Sequence, residues 1–242
     1  MDPRTSVIED RLAGVKRLIP VSGGKGGVGK SVVSSCLALS LAKAGRRVGL
    51  LDLDFSSPSQ HTILGVKGGF PKEDKGIVPP EVHGLRFMSM SFFSGDNPAP
   101  LRGADISNAI IEILAITRWG ELDFLIVDMP PGLSDAALDV VRLMKRSESI
   151  LVTTPSKVSF ATVGKVIRMF QELRAGIVGV LENMTMGDSP YVRAEVKRFG
   201  VPYLGGVRFD EGLEDAIGEP SRLLGTGVLK SLEGVVGSLL LL

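Results

Sequence analysis

A chain of 242 residues is ample for one α/β domain and cramped for two. Its 28 Lys and Arg against 27 Asp and Glu argue against broad electrostatic attraction to nucleic acid or an anionic membrane, so neither is an expected partner. The single cysteine, Cys36, excludes an intrachain disulfide, and there is neither a secretory leader pattern nor an apolar run of membrane-spanning length; a soluble, cytoplasmic protein is expected.

In chain order, residues 1–15 read as a polar lead-in with a short helix, and 16–242 as one domain. Leu18 to Val21 is an apolar run that predicts a buried strand, and Val32 to Ala44 predicts a helix closed by Gly45, Arg46 and Arg47. Val48 to Asp54 predicts a second strand and Pro58 to Leu64 a short helix. Lys67 to Pro80, rich in Gly, Pro and charge, predicts a mobile loop. Further strands are expected at 85–89, 124–128, 149–153, 177–181 and 202–204, with helices at 105–118, 135–145, 158–173 and 190–199 and a mostly helical end. This alternation predicts a three-layer α/β fold, a mostly parallel central sheet flanked by helices. Ligands of such sheets bind at the carboxyl ends of the strands, where Asp54, Asp128 and Asn183 fall.

Between the first strand and helix lies Gly24-Lys25-Gly26-Gly27-Val28-Gly29-Lys30-Ser31, which fits the G-x-x-x-x-G-K-[ST] phosphate-binding loop in its required context. The glycines let backbone N–H groups turn towards a polyphosphate, and the following helix directs its positive end to the same point. Lys30 is expected to reach the β- and γ-phosphates and the Ser31 hydroxyl to ligate Mg²⁺. Asp128 ends an apolar strand as an acid that holds Mg²⁺ through water, and Gly132, after Met129-Pro130-Pro131, allows an N–H to approach a γ-phosphate. Asp52 and Asp54 share a strand face by the two-residue period. His61 has no ligand-spaced companion and is read as structural or solvent-facing, and neither it nor His83 supplies a cysteine–histidine cluster.

The loop G-K-G-G-V-G-K-S resembles the deviant Walker A loop of the ATPase group containing MinD, ParA, nitrogenase iron protein and Mrp. That resemblance implies that Lys25 crosses to a partner subunit's phosphates in a nucleotide-bridged homodimer, that Asp54 positions the attacking water, and that Asp52 supports the metal shell. Further segments are similar to the Mrp/ApbC family: Asp52 to Ser59, Ile77 to Met90, Leu101-Arg102-Gly103, Trp119 to Gly132, Thr153-Thr154-Pro155, Leu181-Glu182-Asn183-Met184 and Gly200 to Gly205. The family implies an ATP- and Mg²⁺-dependent, slow ATPase in iron–sulfur cluster assembly or transfer, with assembly or apo-protein partners, and it implies that Asn183 meets the adenine edge.

Three departures stand beside that resemblance. The family's C-x-x-C is missing: Thr185 to Pro190 holds no cysteine, and thiolates are what such clusters need. Val32 stands where the family has Thr, which removes a hydroxyl from an α-phosphate contact, and Leu101 replaces a Trp. The alternative reading is a MinD/ParA-like regulatory or positioning switch that carries no cluster. The C-terminal stretch 228–242 has one cation, Lys230, and is expected to pack as a helix rather than to serve as a membrane foot.

Overall fold

The computed structural model describes residues 3–94 and 103–241. Leu101 and Arg102, part of one family-like segment, lie outside the described residues.

The chain runs α1 (Arg4–Leu12), β1 (Val15–Gly23), α2 (Lys30–Lys43), β2 (Val48–Asp52), α3 (Gln60–Ile63), β3 (Lys72–Glu73), β4 (Ile77–Val78), β5 (Glu81–Val82), β6 (Leu85–Ser89) and α4 (Ser91–Ser94). It continues through α5 (Ala104–Ile116), β7 (Leu122–Asp128), α6 (Asp135–Leu143), β8 (Glu148–Thr153), α7 (Lys157–Glu172), β9 (Gly176–Thr185) and α8 (Pro190–Arg198). The end is β10 (Tyr203–Arg208), α9 (Leu213–Ala216), α10 (Pro220–Leu223) and α11 (Gly227–Leu241). Eight strands form one sheet in the order β10-β9-β8-β1-β7-β2-β6-β5, parallel throughout except for the two-residue edge strand β5. β1 thus lies between β8 and β7, and the phosphate loop leaves the middle of the sheet at its carboxyl edge.

Both faces are covered, and the strands show it by alternation. Leu125 and Val127 join the core beneath α1, α5, α6, α7 and α8, whereas Phe124 and Ile126 join the core beneath α2 and α11. Each fully buried Leu, Ile, Val or Phe contributes about 1.5–3 kcal/mol. α2 is covered on both sides, by the sheet and by α11, and nine of its fourteen residues are buried; its apolar residues therefore run around the whole helix. It closes as expected: the N–H groups of Gly45 and Arg46 bond to the carbonyls of Ala42 and Leu41, the reciprocal pattern of a Schellman end. Cys36 sits inside this core, fully buried.

Two expectations need correction. Residues 67–80 are not simply loop, because β3 and β4 form a small antiparallel hairpin. It is tied down from outside by Arg118, whose N–H bonds to Ile77 and whose guanidinium bonds to Asp74, and by Arg11, which donates to the Lys75 carbonyl. Strands two residues long carry no period, so nothing in the local pattern announces them. The last strands are also longer than their apolar runs: β9 continues through Asn183 to Thr185, and β10 to Arg208. α1 seats Ile8 and Leu12 in the core against α5, and α11 buries Val228, Leu232, Val235 and Leu239 against α2 and β10. Among the described residues no helix is long and apolar enough to cross a membrane.

Candidate nucleotide site

The phosphate loop is shaped by what surrounds it. Gly29 caps α2 in the left-handed region at φ 79°, and a methyl group there would lie 2.2 Å from Asn183 Nδ2. Gly24 lies against α7: a methyl group would come 2.3 Å from Thr162 Oγ1 and 2.6 Å from the helix backbone. Both positions therefore demand glycine. At the crest, Gly26 and Gly27 are exposed with nothing within 4 Å of where a side chain would begin, so a phosphate chain has access to the loop backbone. Lys25 is exposed beside them. Val28 is buried, and its carbonyl accepts a 2.9 Å hydrogen bond from Asn183 Nδ2. That bond ties the end of β9 to the phosphate loop.

Lys30 begins α2 with its side chain buried. Its ammonium lies 2.5 Å from Asp128 Oδ1 and 4.0 Å from Asp54 Oδ2. Asp128 ends β7 fully buried, and the parallel register sets it directly beside Asp52, the last residue of β2. Ser34 Oγ donates to Asp128 Oδ1 at 3.3 Å, and Gln60 Nε2 donates to Oδ2 at 2.8 Å. Asp52 accepts from the N–H groups of Asp54 and Gln60 and from Ser89 Oγ. Burial, and then the Asp128 charge, push its carboxyl up to about 7, against those two backbone bonds and the Lys30 charge. Asp54 lies past the strand end, where Oδ1 accepts from the N–H groups of Ser56 and Ser57 and from Ser56 Oγ. Its Oδ2 is left facing Lys30.

The fold thus brings Lys30, Asp52, Asp54 and Asp128 together beside the loop. Ser31 and Val32 are half-buried in the first turn of α2. Gly132, at φ 71°, follows β7 with its Cα side towards the phosphate loop, since a methyl group there would lie 3.6 Å from the Gly24 carbonyl. Three residues of the cluster escaped the sequence reading: Ser34, Ser35, whose Oγ donates to Gln60 Oε1, and above all Gln60 itself. Polar residues on a helix otherwise apolar all round were the available signal for the serines; Gln60, in a four-residue helix, had none.

Among the described residues no three His, Cys, Asp or Glu side chains converge as a ready metal cage. Mg²⁺ does not need one, since it keeps its waters and binds through one or two carboxylates together with substrate phosphates. Asp128, Asp52 and the Ser31 position fit that requirement. Cysteine chemistry does not fit a cluster: burial pushes the Cys36 thiol up to about 12, and it lies in the core. His83 is structural, with Nε2 2.9 Å from the Leu64 carbonyl.

A glycine loop between the central strand and a helix, with its lysine among strand-end aspartates, defines a P-loop nucleotide-binding protein. Residues 14–213 match a family model described as ParA: NUBPL iron-transfer P-loop NTPase, and the chain belongs to that family. An iron-sulfur cluster carrier protein of Pseudomonas fragi is 41% identical over 179 residues, covering 72% of this chain and 62% of its own length. Another, from Saccharolobus solfataricus, is 39% identical over 232 residues, covering 88% of this chain and 78% of its own. The chain also spans 53% of the length of an iron-sulfur cluster carrier protein of Aquifex aeolicus, at 40% identity over 194 residues that cover 78% of this chain. Among solved structures, a nucleotide-binding protein of Archaeoglobus fulgidus in complex with ADP superposes with a TM-score of 0.77 at 30% identity, covering 95% of this chain and 93% of that one. The septum site-determining protein MinD of Pyrococcus horikoshii, complexed with Mg-ADP, has a TM-score of 0.67 at 20% identity over 92% of this chain and 95% of its own, and shows the shared fold.

Proposed function

We propose that this chain binds ATP with Mg²⁺, hydrolyses it slowly, and uses that cycle in iron–sulfur cluster assembly or transfer. The observation that carries the nucleotide reading is the Lys30 ammonium held between Asp128 and Asp54 at the start of α2. In the proposed complex Lys30 turns from Asp128 to the β- and γ-phosphates, the loop N–H groups hold the phosphate oxygens, and Asn183 meets the adenine edge. Bound Mg²⁺ would supply charge neutralisation at the β- and γ-oxygens. The Ser31 hydroxyl would hold it, with Asp128 through a water and Asp52 behind. Asp54 orients the attacking water through Oδ2 while Oδ1 keeps the turn in place, and Gly132 offers its N–H to the γ-phosphate. Lys25, exposed at the loop crest, reaches a second copy's nucleotide in a homodimer.

The cluster is cargo in this reading, and the chain's own residues do not hold it. Its only cysteine is buried, so in this reading the thiolates come from a partner. The burial of Cys36 also favours the second reading, a regulatory or positioning switch that never meets a cluster. Transfer assays separate the two. Stimulation by ATP of cluster delivery from a cysteine-bearing carrier to an apo-protein supports the assembly role. Delivery indifferent to this chain at saturating ATP leaves the switch.

A further inference from the structure

Gln60 is fully buried, and the bonds of its side-chain amide and of its backbone N–H all run to residues around the nucleotide site. Its side-chain Nε2 donates to Asp128 Oδ2 at 2.8 Å and to the Ser31 carbonyl at 3.0 Å. Oε1 accepts from Ser35 Oγ, and the backbone N–H donates to Asp52 Oδ2 at 3.3 Å. The amide has only one sensible orientation, because the Ser31 carbonyl and the Asp128 carboxylate are acceptors and must both face the nitrogen. A buried carboxamide stripped of such partners costs about 1–3 kcal/mol, so an apolar side chain would fill the same space with less at stake.

We propose that Gln60 is a positioning residue for the metal, a role that rests on the Mg²⁺–nucleotide reading above. Asp128 has two carboxylate oxygens. Gln60 pins Oδ2, which stops the carboxylate from rotating and leaves Oδ1 as the oxygen shared by Lys30 and Ser34. With Lys30 drawn to phosphate, Asp128 Oδ1 would be left available for Mg²⁺ or its water while Gln60 keeps the carboxylate plane fixed. The same amide bonds to the Ser31 carbonyl, so one group fixes Asp128 relative to the residue whose hydroxyl would hold the metal. The backbone bond to Asp52 brings the third acid into that frame. Groups that orient metal ligands in this way typically alter metal affinity by about 10- to 100-fold when lost.

The experiment is an equilibrium titration of the full chain with a fluorescent ATP analogue, in EDTA and across a Mg²⁺ series, for wild type and Gln60→Met, with thermal melting alongside. Methionine keeps the volume and removes the hydrogen bonds. The expected result is an affinity in EDTA within about twofold of wild type and a Mg²⁺ half-saturation raised about tenfold. A purely structural role would lower the melting temperature and the affinity in EDTA together with no change in Mg²⁺ half-saturation, and that result overturns the proposal. Should Gln60→Met fail to fold, Ser35→Ala, which removes the anchor of Oε1, takes its place: a raised Mg²⁺ half-saturation supports the role, and an unchanged one overturns it. If wild type fails to bind the analogue, or binds it without any response to Mg²⁺, the Mg²⁺–nucleotide reading itself falls and takes the positioning role with it. If wild type responds and Gln60→Met follows it point for point, only the role of Gln60 is lost.

Discussion

Lys30 Nζ and Asp128 Oδ1 lie 2.5 Å apart, one at the start of α2 and the other at the end of β7, and both side chains are buried. Ninety-eight residues separate them in the chain. Around this pair stand two further acids, Asp52 and Asp54, so one ammonium faces three carboxyl groups in a region with little water. Removing one partner of a buried pair leaves the other charge uncompensated, at about 3–5 kcal/mol.

Lys30→Ala should therefore do two things at once. Thermal or urea unfolding should show a loss of about 3–5 kcal/mol, and binding of a fluorescent ATP analogue should vanish. Retained nucleotide affinity would remove Lys30 from the phosphate site.

Asp54→Asn keeps the acceptor for the Ser56 and Ser57 N–H groups and removes the charge from Oδ2. Folding should be little changed and ATP should still bind. Turnover should fall about 100-fold or more, the usual scale for a group that handles the attacking water's proton. Single-turnover hydrolysis at the wild-type rate would strike Asp54 from the mechanism.

Lys25→Ala touches an exposed side chain and should leave monomer stability within about 0.5 kcal/mol. Light scattering with a non-hydrolysable ATP analogue should show dimers for wild type and monomers for the variant. Dimers in both would mean that the lysine does not cross to a second copy.

Cys36 should be inert. With its thiol pushed up to about 12, the thiolate fraction at pH 8 is about one in ten thousand, and burial excludes reagents besides. Maleimide should label the protein only after unfolding, and anaerobic reconstitution with iron and sulfide should leave no stable chromophore. A persistent brown protein would mean that the chain holds a cluster after all.

Acid should act partly through Asp123. Hydrogen bonds from Lys16 and from the Arg47 N–H hold its carboxyl down to about 2, below its ordinary value of 3.8. A folded value below the unfolded one gives stability that is complete above about 4 and is lost as the pH falls through 4 towards 2. The Lys16 partner is well exposed, so the contribution is that of a screened surface pair, about 1 kcal/mol or less. Asp123→Asn should flatten this part of the stability profile while leaving the rest, which a urea series from pH 5 to pH 2 would measure.

Much of this was legible in the amino acids. The strand–loop–helix at Gly24 to Ser31 is local chemistry, and so are the apolar runs ending at Asp52 and Asp128 and the glycine that closes α2. Each is written within a few consecutive residues, where period and turn chemistry operate. The hairpin at β3 and β4 was not legible, because its order comes from Arg11 and Arg118 reaching in from distant elements.

The loop itself shows the division most clearly. Its spacing was enough to predict a phosphate cradle and to name its candidate residues, because a backbone cradle needs only neighbours in sequence. The sheet order decided the rest. It placed β7 and β2 side by side so that Asp52 faces Asp128, it packed α7 against Gly24 and Asn183 beneath Gly29, and it drew Gln60 onto an aspartate 68 residues away. Those contacts depend on which strands are neighbours, and no local pattern of residues encodes that.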